Sequence, residues 1–133
     1  LGFRSLGFRE ARPGMREYSF EKLEAWKMSR ELAREIYTLT DKFPENERFG
    51  LVNQMRRAVV SIGSNLAEGS SRSTNKDRVH FITIAYGSLM ELLNQLVLSY
   101  DFKFIEESDY ADLRMRIEGL SIKLSAYKRA FNS

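Results

Sequence analysis

The chain has 133 residues, 43% of them hydrophobic, which is one compact domain with enough apolar surface for a core of its own. It contains no cysteine and one histidine, so disulfides, thiolate metal sites and multi-histidine zinc sites are excluded, and a reducing, cytoplasmic setting is expected. The formal charge of +3 owes two units to the first 14 residues, where Arg4, Arg9 and Arg12 outnumber Glu10; from Met15 onward the net charge is only +1.

The opening stretch, LGFRSLGFREARPG, repeats LGFR at Leu1 and Leu6 and lacks the continuous apolar run of a signal peptide. Residues 1–14 read as a remnant of cloning or upstream translation rather than a functional arm, and residues 15–133 as the domain. The first helix is predicted from Ser19 to about Lys42, with Leu23, Trp26, Leu32, Ala33, Ile36, Leu39 and Phe43 inward. Pro44 ends it.

The second helix is predicted to start soon after Pro44 and to end at Gly69 in a left-handed cap. Within it, QMRRAVVSIGSNLAEGSSR carries small and charged residues where a core helix would carry bulk. At about 100° per residue, Leu51, Met55, Ala58, Val59, Ile62 and Leu66 form one apolar stripe. Asn53, Arg57, Ser61, Ser64 and Glu68 form a polar face, and Val60, Gly63 and Ala67 a third face of little bulk. A helix of that kind has neighbours on more than one side. Thr74 or Ser73 can cap the third helix, which is expected to reach Tyr100 with Phe81, Ile82, Ala85, Leu89, Leu92, Leu93, Leu96 and Val97. This is the most apolar run of the chain, but Glu91, Asn94 and Gln95 interrupt it near its centre, against a membrane span. Its apolar arc covers roughly half the circumference, which points to burial against another subunit. Ser108 offers a cap for the fourth helix, where Tyr110, Leu113, Ile117, Leu120, Leu124, Tyr127 and Phe131 form a heptad seam.

Short connections force neighbouring helices antiparallel, so the fold class is all-α, an up-down-up-down four-helix bundle. In that topology one end gathers Asp41, Glu45, Glu47, Asp101, Glu106, Glu107 and Asp109 against Lys42, Arg48 and Lys103. The other gathers Arg16, Lys22, Arg72, Lys76, Arg78, Lys123, Lys128 and Arg129, and is basic despite Glu17, Glu21, Glu68 and Asp77. Cations at the end of the fourth helix suit its dipole; Lys76 and Arg78 in the first turn of the third do not, and with Arg72 they form a candidate phosphate site beside free backbone amides. Arg56 points away from the polar face and is a further candidate cation. Arg57, Ser61 and Glu68 share a face and suggest an internal hydrogen-bonded network.

Catalytic readings lack parts. Asp77 and His80 have i, i+3 spacing without a second such unit for a di-iron centre, no strained nucleophile turn accompanies a serine, and no glycine-rich loop follows a strand. Glu68 and Glu91 could approach between helices two and three, but pairing with nearby bases explains them more simply. Trp26, Tyr37, Tyr86, Tyr100, Tyr110 and Tyr127 fall mostly at packing positions rather than on a base-stacking platform. No enzyme, cofactor or metal is expected.

From about Tyr18 to Asn132 the chain resembles the four-helix-bundle proteins encoded in intervening sequences of bacterial 23S ribosomal RNA genes. The resemblance is specific from Phe20 to Leu96, through FEKLEAWKMSRELAREIYTLTDKFP, the second-helix segment and RVHFITIAYGSLMELLNQL, and the fourth helix matches only as an amphipathic helix. Where that family usually has Pro-Ala after the Ser-Ile of its motif, this chain has Gly63-Ser64. The resemblance carries the motif over to Arg57, Ser61, Asn65, Glu68 and Gly69, and implies a homo-oligomer, a ring-shaped pentamer. A related branch, the accessory variability proteins of diversity-generating retroelements, works with a reverse transcriptase and its RNA. Two functions follow as expectations: an oligomer that binds nucleic acid, RNA before DNA, through backbone phosphates, or a scaffold that docks a protein partner. The nucleic-acid set is Arg56, Arg72, Lys76, Arg78, Lys123, Lys128 and Arg129.

Overall fold

The computed structural model describes residues 11–132, and all regular structure among them is helical. The readings made for residues 1–10 and for Ser133 lie outside the described residues. A 3-10 turn, Ser19–Lys22, leads into α1 (Glu24–Thr40); a second 3-10 turn, Glu45–Glu47, and a kinked turn, Arg48–Val52, lead into α2 (Asn53–Ser70); α3 is Asn75–Asp101 and α4 is Glu107–Ala130. Neighbours around the square run α1, α2, α3, α4 and back to α1, so α2 and α4 stand at opposite corners of an up-down-up-down bundle.

The first helix begins later than its periodicity suggests. The Tyr18 amide donates to Glu21 Oε1 at 2.9 Å and the Leu23 amide to the Phe20 carbonyl, closing a separate turn. Leu23 is then extended at φ −70°, ψ 125°, and α1 starts after it. The Phe20 ring sits edge-on to Trp26 at 5.1 Å and fixes the entry angle. The start of α2 is also delayed, because Gly50 leaves helical geometry at φ −104°, ψ −109° and kinks the turn.

The core is as the stripes predict. Leu32 and Ile36 of α1, Met55, Ile62 and Leu66 of α2, Leu89, Leu92 and Leu96 of α3, and Ile117, Leu120 and Leu124 of α4 are fully buried. Each such side chain contributes about 1.5–3 kcal/mol relative to exposure. The 27-residue α3 is long and apolar enough to cross a membrane by length and composition. Here its Leu89, Leu92 and Leu96 fill the bundle core, while Glu91 and Asn94 are exposed.

Gly69 has a different role from the cap expected of it. It lies inside α2 and is buried, and a Cβ there would meet Phe81 Cβ at 2.8 Å. Glycine lets α2 and α3 approach; the helix ends instead where Ser70 and Ser71 hydroxyls donate back to the carbonyls of Ala67 and Glu68. Gly63 is likewise a contact point, with Ser29 Oγ 3.1 Å from where its Cβ would be. The left-handed cap falls on a residue with no glycine signal. Lys103 has φ 64°, its amide donates to the Tyr100 carbonyl and the Phe104 amide to the Ser99 carbonyl, a Schellman ending for α3. Thr74 caps α3 as expected, accepting from the Asp77 amide at 3.2 Å. The N-cap of α4 is Glu106, not Ser108, and its side chain makes no capping bond.

Candidate nucleic-acid interface

Helix α3 rises from the end where α4 finishes, and this brings most of the expected cations together. The Arg78 guanidinium lies over the Phe131 ring at 5.6 Å, which sets the first turn of α3 beside the last turn of α4. Lys76 is exposed on that turn, and Lys128 and Arg129 stand in the last turn of α4. Lys123, one turn earlier, lies on the α1 side of α4 beside Leu23 and Glu24, while Lys128 lies on the α3 side with Thr83 and Tyr86. The cations therefore wrap around the end of α4 instead of forming one flat patch. Burial raises the Tyr127 phenol above the usual tyrosine range, and the Arg78 charge partly offsets it.

Two of the expected phosphate ligands already have partners. Arg72 Nη2 bonds Glu68 Oε2 at 2.6 Å, and its guanidinium covers the Phe81 ring at 4.7 Å. Its Nε is buried without a partner among the described residues. Arg78 Nη1 donates to Asn75 Oδ1 at 2.9 Å. The i, i+4 spacing of Glu68 and Arg72 was readable in the sequence; the rings under the two arginines depend on helix register and were not. The amide nest at the start of α3 is narrower than expected, since the Thr74 hydroxyl already takes the Asp77 amide. Asp77 in the first turn also competes with an incoming anion.

Arg56 does not belong with the others. It lies near the start of α2, at the acidic end, where Nε donates to Thr40 Oγ1 at 2.9 Å and Nη2 to Asp41 Oδ1 at 2.9 Å and the Tyr37 carbonyl at 3.3 Å. It closes the C-terminus of α1, where unpaired carbonyls favour a cation. That is a structural post, and it removes Arg56 from the candidate interface.

The expected motif network divides into two. Ser61 Oγ meets Ser88 Oγ at 2.9 Å, and Asn65 Nδ2 donates to the Ser61 carbonyl at 2.9 Å and its hydroxyl at 3.1 Å, tying α2 to α3. Glu68 belongs to Arg72 instead, and Gly69 acts through its missing side chain. Arg57 is exposed and joins neither group among the described residues. Glu68 and Glu91 are kept apart, because the Ser61–Ser88 contact sets Glu68 near Phe81 and leaves Glu91 farther along α3. His80 is exposed with its ring edge-on to Phe81, and no cluster of three or more His, Asp or Glu side chains suited to a metal occurs among the described residues. Tyr100 stacks on Tyr110 at 4.3 Å, a packing contact between α3 and α4.

The fold and its charged ends define a small helical bundle with one basic and one acidic pole. Residues 21–126 match the family described as 23S rRNA-intervening sequence protein, and the chain belongs to that family. It is similar in fold to a crystal structure, at 1.70 Å, of a protein of unknown function from the S23 ribosomal protein family of Bacteroides thetaiotaomicron VPI-5482. That match has a TM-score of 0.72 at 21% identity and covers 79% of this chain and 95% of the other. No curated protein matches the sequence.

Proposed function

We propose that this protein is a non-catalytic, cytoplasmic homo-oligomer, a ring, that binds structured RNA through backbone phosphates at its basic pole. One observation carries the reading. The first turn of α3 and the last turn of α4 lie side by side, so Lys76, Arg78, Lys128 and Arg129 share one end of the bundle. Phosphate contacts of this kind are individually weak, and repetition around a ring multiplies them through avidity. The family's tie to ribosomal RNA genes makes structured RNA the first nucleic acid to test.

The test is fluorescence anisotropy with a labelled RNA hairpin and a DNA duplex at two salt concentrations. Affinity should fall steeply with salt, and each of Lys76→Ala, Arg78→Ala and Lys128→Ala should flatten the log–log slope by about 0.7–0.9 for every subunit that contacts the RNA. Binding indifferent to salt, or no binding, sinks the reading. A second reading, a scaffold for a cationic protein such as a reverse transcriptase, draws on the other pole. There Phe49 is 88% exposed and Phe102 57%, among Glu45, Glu47, Asp101 and Glu106. Capture of a basic partner that survives Lys76→Ala and Arg78→Ala but is lost in Phe49→Ser favours the scaffold.

A further inference from the structure

Two outer faces of the bundle carry groups with no partner among the described residues. On α4, Met115 is 74% exposed and Ile122 64%, two turns apart on one line of the helix, with exposed Glu118 between them. On α2, Val60 is 47% exposed, one turn from Arg57 on one side and Ser64 on the other. Neither the Arg57 guanidinium nor the Glu118 carboxylate has an ion-pair partner among the described residues.

Register gives the two faces matching heights. Ser61 meets Ser88 between α2 and α3, while Tyr100 stacks on Tyr110 and Arg78 covers Phe131 between α3 and α4. Ser61 of α2 therefore stands level with Ile122 of α4, and Arg57 with Glu118. The two helices run in the same direction from opposite corners of the bundle. A cyclic axis parallel to the bundle relates copies with no shift along it. Setting a second copy alongside in that way brings Arg57 opposite Glu118 and Val60 opposite Ile122.

We propose that the outer face of α2, with Arg57, Val60 and Ser64, docks on the outer face of α4, with Met115, Glu118 and Ile122, of a second copy of this chain. The proposal rests on the oligomeric part of the function above and gives it an address. Both terms favour it: the exposed Met115 and Ile122 side chains meet the exposed Val60, and opposite charges meet at one height. Because the two faces differ, the contact is heterologous, the kind that closes into a ring when the rotation allows.

The sequence has no cysteine, so Val60→Cys combined with Ile122→Cys reports on this contact alone. The two faces point away from each other within a chain, so oxidation can join only separate chains. A ladder of covalent multimers is expected from the double variant and not from either single one. Arg57→Glu should lower the mass from light scattering toward the 15.5 kDa monomer, and adding Glu118→Arg should restore it. All these positions are exposed, and far-ultraviolet circular dichroism of each variant verifies that the helices are intact. A monomeric wild type would overturn the oligomeric reading and this contact with it. An oligomeric wild type with no ladder and a mass unmoved by the charge swap would overturn the address alone.

Discussion

Two glycines inside helices should respond differently to alanine. In an open helix, alanine is favoured over glycine by about 1 kcal/mol. Gly87, midway along α3, has nothing within 4 Å of where a Cβ would stand, so Gly87→Ala should stabilise by about 0.5–1 kcal/mol. At Gly69 the added Cβ would be 2.8 Å from Phe81 Cβ. A neighbouring Cβ cannot swing aside as a side-chain tip can, so α2 and α3 must separate or Phe81 must drag its backbone. Such overpacking costs about 1–3 kcal/mol, which offsets the propensity gain and leaves Gly69→Ala neutral to about 2 kcal/mol less stable. Unfolding entropy for a domain of this size converts 1 kcal/mol to about 4 °C. The two melting temperatures, followed by circular dichroism at one protein concentration because assembly shifts apparent stability, should differ by at least about 2 °C. Equal upward shifts in both variants would refute the close approach of α2 and α3 at Gly69.

Other substitutions test separate parts of the account. Lys103→Gly should raise stability by about 0.5–1 kcal/mol in urea unfolding, since Lys103 holds φ 64° in the ending of α3 and glycine adopts that conformation without the steric cost. Arg56→Ala removes the bonds to Thr40 Oγ1, Asp41 and the Tyr37 carbonyl, and should cost about 1–2 kcal/mol while leaving RNA affinity and its salt slope unchanged. Tyr127 gives a pH dependence: its phenol ionises above 10.0 in the fold because of burial. The unfolded chain loses that proton first, so the stabilisation is complete below pH 10.0 and falls as pH rises through the folded-state value. Tyr127→Phe should flatten that alkaline loss and leave stability at neutral pH nearly unchanged, as read from melting temperature against pH.

What was legible in the sequence is what depends on period and short range. The apolar stripes of all four helices, the Thr74 cap and the two poles of charge follow from 3.6-residue periodicity and short connections. The misreadings occur where a tertiary neighbour decides. Gly69 near a helix end is an equally good cap or contact point until Phe81 is known to lie opposite. The left-handed position went to Lys103, where no glycine marks it, because the backbone bonds of the Schellman ending hold it there. Arg56 looked free because the end of α1 that it closes is 15 or more residues away in sequence. Of the candidate interface, the convergence of Lys76, Arg78, Lys128 and Arg129 came from topology; the rings beneath Arg72 and Arg78 came from register, which composition does not encode.

The central claim is that the basic pole holds RNA phosphates. The most direct measurement is ultraviolet cross-linking of the wild-type protein to a structured RNA at low and at raised salt, with the linked peptides identified by mass spectrometry. The account predicts links in the peptides of the α3 first turn and the α4 last turn, around Lys76, Arg78, Lys128 and Arg129, and their loss as salt rises. Links concentrated at the opposite pole, around Phe49 and Phe102, or links that persist unchanged in salt, would contradict it.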